Sequence, residues 1–298
     1  MTNRREFIHL AAGSAAALML NRAFAAEPTL PKLKKAVKYG MVSGKGTPKE
    51  KFELLKKLNF QGVEIDSPSG LKLDELVAAK VATGIQIHGV IDSAHWNDTL
   101  SHPDEKVRAK GLAALKTAIE DAKTVGADTA LLVPGVVNKD ATYEQCWERS
   151  TAEVKKVLGD AEKAGVKIAI EVVWNNFITK PEQLVEYVDQ FKSPWVGAYF
   201  DCSNMLRYGV PAATWIRKLG KRMLKFDFKG YSAAKATKDN MYAGFNVGIG
   251  EGDEDWPEVL KACAEVGYNT WATAEVGSGD EKWLANVSMR MDKILGLK

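Results

Sequence analysis

Eight times along this chain, a short run of β-branched and small apolar residues is followed by a longer segment with helical spacing. That alternation constrains the fold more than any other feature, because parallel strands must be joined by crossovers and a helix is the usual one. The strand runs are Val37 to Val42, Gly62 to Asp66, Gln86 to Ile91, Thr129 to Val133, Lys167 to Val172, Val196 to Asp201, Met223 to Phe228 and Thr270 to Val276. Helical segments include Glu105 to Val125, Tyr143 to Ala164, Pro181 to Gln190 and Trp256 to Val266, several closed by a glycine in the manner of a C-cap. With no linker in mid-chain, the pattern predicts an α/β fold, a single-domain (β/α)8 TIM barrel over residues 37–298, rather than a doubly wound sheet. A length of 298 residues is compatible with one domain of this kind.

The first 26 residues read as an address. Arg4 and Arg5 precede an apolar stretch from Phe7 to Leu20, and Ala23, Phe24 and Ala25 have the small-x-small form of a signal-peptidase site. The paired arginines before Glu6 and Phe7 resemble a twin-arginine signal, with an ordinary secretory signal or an uncleaved anchor as alternatives. The expected location is therefore periplasmic or otherwise exported, with residues 27–36 as a linker and no stable membrane span after cleavage, since spanning takes ~20 apolar residues. Removing Arg4, Arg5, Arg22 and Glu6 leaves 38 basic and 37 acidic residues, a balance of +1. Nucleic acid is excluded as an expected partner, because gripping its phosphates needs a strongly basic face. A small neutral molecule fits better. Cys146, Cys202 and Cys263 are too scattered for a disulfide framework or a cysteine zinc site.

In such barrels the chemistry sits where strands pass into loops at the C-terminal face. Glu64 and Asp66 are read as ending strand two, His88 strand three, Glu171 strand five, Asp201 strand six, Asp227 strand seven and Glu275 strand eight. Any one of these could be a salt bridge or a loop cap. Four carboxylates on four consecutive strands would repel one another in a partly dehydrated mouth unless a cation or shared protons offset the charge. A divalent metal is the simplest remedy.

The segments AIEVVWNNF (Ala169 to Phe177), AYFDCSNMLRYGVP (Ala198 to Pro211), WIRKLGKRMLKFDFKGY (Trp215 to Tyr231) and ATAEVGSGD (Ala272 to Asp280) resemble the xylose-isomerase-like TIM-barrel superfamily of sugar isomerases and epimerases. HGVIDSAHW (His88 to Trp96) and LLVPGVVN (Leu131 to Asn138) match the same ketose 3-epimerase and hexulose-phosphate isomerase branches. The resemblance implies a divalent cation held by Glu, Asp, His and Glu, carried over here to Glu171, Asp201, Asp227 and Glu275. Asp227 stands where the family's His-x-Lys-Asp stretch has its histidine, so the set is all oxygen and suits Mn2+ or Mg2+, with Ca2+ also possible.

By the same resemblance, Glu171 and Glu275 are the catalytic acid and base, moving a proton through a metal-stabilised enediolate in epimerisation or aldose–ketose exchange. Asn204, Trp174, Trp96, His88 and Glu64 are the candidate substrate shell. The Gly-rich loop GFNVGIGEGDEDW could cradle a phosphate, but Glu251, Asp253, Glu254 and Asp255 crowd it, and export also favours an unphosphorylated sugar. Two further readings stand beside the isomerase: a lyase or hydrolase of 3-keto-glycosides on the same scaffold, and a non-catalytic sugar-binding barrel with a decayed metal site. A homo-oligomer is left open.

Overall fold

The computed structural model describes residues 30–297, so the expected signal sequence lies outside the described residues. Eight parallel strands close in sequence order: β1 (Lys34–Lys38), β2 (Gly62–Ser67), β3 (Gln86–Asp92), β4 (Thr129–Leu132), β5 (Lys167–Glu171), β6 (Val196–Asp201), β7 (Met223–Phe228) and β8 (Trp271–Ala274). Pairing of β1 with β8 (Val37 opposite Ala274) completes the ring. Outside it lie α1 (Pro48–Lys57), α2 (Leu73–Thr83), α3 (Glu105–Val125), α4 (Tyr143–Ala164), α5 (Pro181–Asp189), α6 (Ala212–Leu219), α7 (Trp256–Val266) and α8 (Glu281–Leu295). The predicted barrel is therefore found. Among the described residues no helix is long and apolar enough to cross a membrane.

The helices start and stop where local chemistry directs. Thr47 and Glu50 form a capping box at α1, and Thr142 with Gln145 does the same at α4. Gly126 and Gly165 end α3 and α4 with φ of 73° and 71°, left-handed values that a side chain resists. One boundary needs correction. β1 runs over Lys34–Lys38, so it begins inside the stretch read as linker and ends before most of the predicted Val37 to Val42 run.

Strand side chains alternate between two environments. Outward residues such as Phe226 and Phe228 pack into the apolar layer under the helices. Inward residues form polar ladders: Asp227 and Lys229 from β7 and its exit, Tyr199 and Asp201 from β6, and Lys38 from β1 meet one another through the bonds described below, with Lys225 one step lower on the same face of β7. The lower end is sealed by His88, stacked on Trp271 at 4.3 Å and accepting Lys225 Nζ on its backbone oxygen at 2.8 Å. Lys225 is itself paired with Asp128 at 2.7 Å. Gly89 matters here, because a Cβ at that position would come 2.5 Å from Glu64 Oε1. The cysteines are free and buried.

Candidate active site

Glu171 closes β5, Asp201 closes β6, Asp227 stands one residue before the end of β7, and Glu275 follows β8 directly. The N–H of Glu275 donates to Phe228 O at 3.0 Å, fixing that strand exit against β7. Asp201 Oδ1 accepts the N–H groups of Ser203 and Asn204 at 2.8 and 2.9 Å. One oxygen from each of the four carboxylates lies within 4.8 Å of the others. Glu171 and Glu275 line a cavity of about 680 Å3. Asp201 and Asp227 lie behind them, fully buried.

Two lysines offset this charge, and a search limited to strand-end acids overlooks the part both play. Lys229 Nζ lies 3.0 Å from Asp201 Oδ2 and 2.5 Å from Glu275 Oε2. Lys38 Nζ lies 2.6 Å from Glu64 Oε2 and 2.9 Å from Asp227 Oδ2, and donates to the Tyr199 hydroxyl at 2.9 Å. That hydroxyl is also 2.8 Å from Glu64 Oε2 and 2.7 Å from Asp227 Oδ1. It has a single proton to donate, so it can serve only one carboxylate at a time. A proton retained by Asp227 would satisfy the other contact. The direction of the Asp227 shift agrees: burial drives its pKa well above the ordinary value, Lys38 opposes this only in part, and Glu275 and Glu64 reinforce it.

The two glutamates facing the cavity are pushed apart. Burial, then the negative charges of Glu275 and Asp227, raise the Glu171 pKa well above the ordinary value. Burial acts the same way on Glu275, but Lys229 and Lys38 outweigh it and the net shift is downward. Paired carboxyls with opposed environments are the arrangement in which one holds a proton and its neighbour can accept one.

The donor set fits a hard cation. Asp201 Oδ2, Asp227 Oδ2 and Glu275 Oε2 are buried and lack an aligned hydrogen bond, although each faces an ammonium at ion-pair distance. Five carboxylates here (Glu64, Glu171, Asp201, Asp227, Glu275) meet two lysines, leaving an excess of three negative charges if all are ionised. A divalent ion with oxygen ligands would reduce that excess.

The expected substrate shell is brought together only in part. Trp174, Asn204 and Trp96 line the cavity. Trp174 is anchored by donation from Nε1 to Asn204 O at 2.7 Å and packs on Phe245 at 5.0 Å, and Trp96 is 51% exposed at the rim. His88 and Glu64 are corrections. Strand β3 runs on to Asp92, and its register with β2 shifts between Val63 and Glu64, so His88 sits low in the barrel. Burial and then the Lys225 charge press its pKa well below the ordinary value. Glu64 is consumed by Lys38 and Tyr199. In their place the cavity has Asp66, Asp92 and His95. Reading the strands in steps of two from Asp201 and Asp227 would have reached Tyr199 and Lys229, whereas Lys38 stands on β1, which carries no carboxylate.

The acids of the Gly-rich loop are structural. Glu251 accepts the Gly248 N–H at 2.9 Å and pairs with Arg290, Asp253 accepts from Ala233 N–H, Glu254 accepts from Ser203 and Tyr231, and Asp255 caps α7. An N–H that could have faced a phosphate is thus already used.

A family model described as a xylose isomerase-like TIM barrel matches residues 52–292. The chain is 26% identical over 231 residues to the L-ribulose-5-phosphate 3-epimerase UlaE of Escherichia coli, covering 74% of this chain and 78% of that one. The structure of D-psicose 3-epimerase with D-tagatose from Clostridium cellulolyticum H10 superposes with a TM-score of 0.72 at 22% identity, covering 89% of this chain and 99% of that one. The IolI protein with a bound zinc atom superposes with a TM-score of 0.73 at 19% identity, covering 89% and 98%. At these identities the two structural likenesses bear on the fold.

Proposed function

The chain belongs to the xylose isomerase-like TIM-barrel family, and on that premise we propose that it is a sugar epimerase or isomerase that moves a proton on a carbon next to a carbonyl, with Glu171 and Glu275 as the exchanging pair. The observation that carries this reading is the meeting of four carboxylates from β5 to β8 within 4.8 Å of one another, beside a cavity sized for a small ligand. The curated relative is named as a ketose-phosphate 3-epimerase, which supports the same reaction class.

Glu275, kept ionised by Lys229, is the group suited to remove the proton. Glu171, whose proton affinity is raised by burial and by the charge of Glu275, is the group suited to deliver one. Return to the same carbon from the opposite face epimerises it, and return to the neighbouring carbon interconverts aldose and ketose. Glu171, Asp201, Asp227 and Glu275 would hold Mn2+ or Mg2+, and such an ion, when bound, withdraws electrons from a sugar carbonyl and so acidifies the adjacent C–H. Asn204 and Trp174 orient the sugar, the first by hydrogen bonding and the second by its apolar face. The substrate we favour is unphosphorylated, since Glu251 occupies the loop amide of Gly248 and Arg290 is already paired. Export through the Arg4–Arg5 signal accords with it, and would be seen as a mature N-terminus near Ala26 or Glu27 on sequencing the secreted protein.

The reading is tested by incubating the protein with a panel of free ketoses in D2O, after chelation and again with Mn2+ or Mg2+ restored. Deuterium should enter next to the carbonyl, and Glu171→Gln or Glu275→Gln should each cut the rate by roughly 10^2 to 10^4. If no ketose exchanges under any metal condition, the isomerase reading falls and a sugar-binding barrel takes its place.

A further inference from the structure

Glu275 borders two cavities. Beside the cavity already described lies a second, of about 610 Å3, between the loop that follows β7 and helix α8. The two share Lys229, Phe245, Glu275 and Val276 as their common wall. Either volume alone falls within the roughly 300–1,000 Å3 that encloses a drug-sized ligand. One monosaccharide in the first cavity therefore leaves the second empty.

The lining of the second cavity is that of a ring-binding site. Trp283 from α8 is 39% exposed, and its ring is fixed by donation from Nε1 to Gly277 O at 2.8 Å. Arg290 is held in place by bonds to Glu251 Oε1 at 2.7 Å and Asn286 Oδ1 at 2.7 Å. Val247, from the loop, supplies an apolar wall. A fixed indole face, with a planar guanidinium and an amide beside it, suits an uncharged ring bearing hydroxyl groups. The charge of Arg290 is already balanced by Glu251, so an anion gains little there. Of the four shared residues, Lys229 and Glu275 form an ion pair at 2.5 Å that gives the divide a polar stretch beside the apolar Phe245 and Val276, and a linking oxygen can lie against that stretch.

We propose that the substrate is a disaccharide whose ketose unit reacts in its open, carbonyl form. The reacting sugar fills the first cavity, and its glycosyl partner lies against Trp283 in the second, with the linkage passing over Lys229 and Glu275. This rests on reading the first cavity as the reacting site.

Two variants test it without touching the carboxylates. Val247→Trp fills the second cavity from a loop position, and Trp283→Ala removes its ring platform. D-fructose would be compared with the ketose disaccharides isomaltulose, leucrose and turanose by exchange in D2O and by calorimetric binding. The wild-type protein should prefer at least one disaccharide over D-fructose by tenfold or more in kcat/KM. Each variant should raise the KM for that disaccharide at least tenfold while leaving D-fructose within twofold. Equal treatment of the disaccharides and D-fructose by the wild-type protein overturns the proposal, as do variants that leave disaccharide KM unchanged. If no sugar turns over, the reaction assigned to the first cavity has failed, and binding alone decides: tighter binding of a disaccharide than of D-fructose, lost in Val247→Trp, supports the second cavity, and equal affinities refute it.

Discussion

The barrel contains two lysine-centred acid clusters made of nearly the same parts. In the inner one Lys38 joins Glu64 and Asp227, which share the Tyr199 hydroxyl, and these two carboxylates are almost wholly shielded although Lys38 itself borders the cavity. In the outer one Lys229 joins Asp201 and Glu275, and Lys229 and Glu275 reach the cavity. What separates them is closure. Tyr199, itself fully buried, ties both carboxylates of the first to one hydroxyl, whereas Glu275 in the second keeps part of its surface open to a ligand. Identical ion-pair chemistry thus holds the barrel together in one place and is available for reaction in the other.

The largest expected effect comes from breaking the closed cluster. Lys38→Met leaves Glu64 and Asp227 buried without their cation, and stranding one side of a buried pair costs about 3–5 kcal/mol. Urea unfolding should show that loss, and added Mn2+ should recover only part of it, because Glu64 is not among the four carboxylates that converge and stays without its cation. A variant as stable as the wild type would remove the distinction drawn here. The matching change in the open cluster, Lys229→Met, should behave differently. Its carboxylates can accept a divalent ion from the cavity, and an ion at a hundredfold excess over its Kd adds about 2.7 kcal/mol of stability. Thermal unfolding with and without Mn2+ should therefore show a larger metal-dependent rise in Tm for Lys229→Met than for Lys38→Met. Equal rises would contradict it.

The smallest effect uses an acid with no ammonium among its hydrogen-bond partners. Glu254 accepts from Ser203 Oγ and from the Tyr231 N–H, and burial raises its pKa from 4.5 to about 7 against those bonds. The folded chain then holds this proton more tightly than the unfolded chain. Its contribution is accordingly intact below pH 4.5 and is lost as pH climbs through about 7. The loss should amount to about 2 kcal/mol by pH 6. Glu254→Gln, which keeps the acceptor oxygen, should flatten that slope; an unchanged slope would mean that other groups set it.

Much of this was legible from the sequence, and the misses have a common cause. The strand rhythm and the four carboxylates stood out because acids interrupt apolar runs. The lysines did not, since Lys32, Lys34 and Lys35 made the start of β1 resemble a linker and a search for carboxylates passes over Lys38. An inward face that is itself polar hides a strand from any reading that expects apolar cores. His88 was misplaced because the register shift opposite Val63 and Glu64 lengthens β3 beyond it, and such a shift depends on the neighbouring strand. The second cavity depends on Arg290 and Glu251, 39 residues apart, meeting across a loop and a helix, which no local pattern encodes.

The ladder of β7 also bears on how the chain avoids closing wrongly. Lys225, Asp227 and Lys229 alternate in sign along one face, with Phe226 and Phe228 on the other. A slip of one residue would exchange the faces, driving charges into the helical layer and aromatic rings into the polar interior. A slip of two would restore the faces but set ammonium against ammonium, since Asp227 would leave Lys38 and a lysine would take its place. The strand thus works as a key with two tests, one of polarity and one of sign, and only a single alignment passes both.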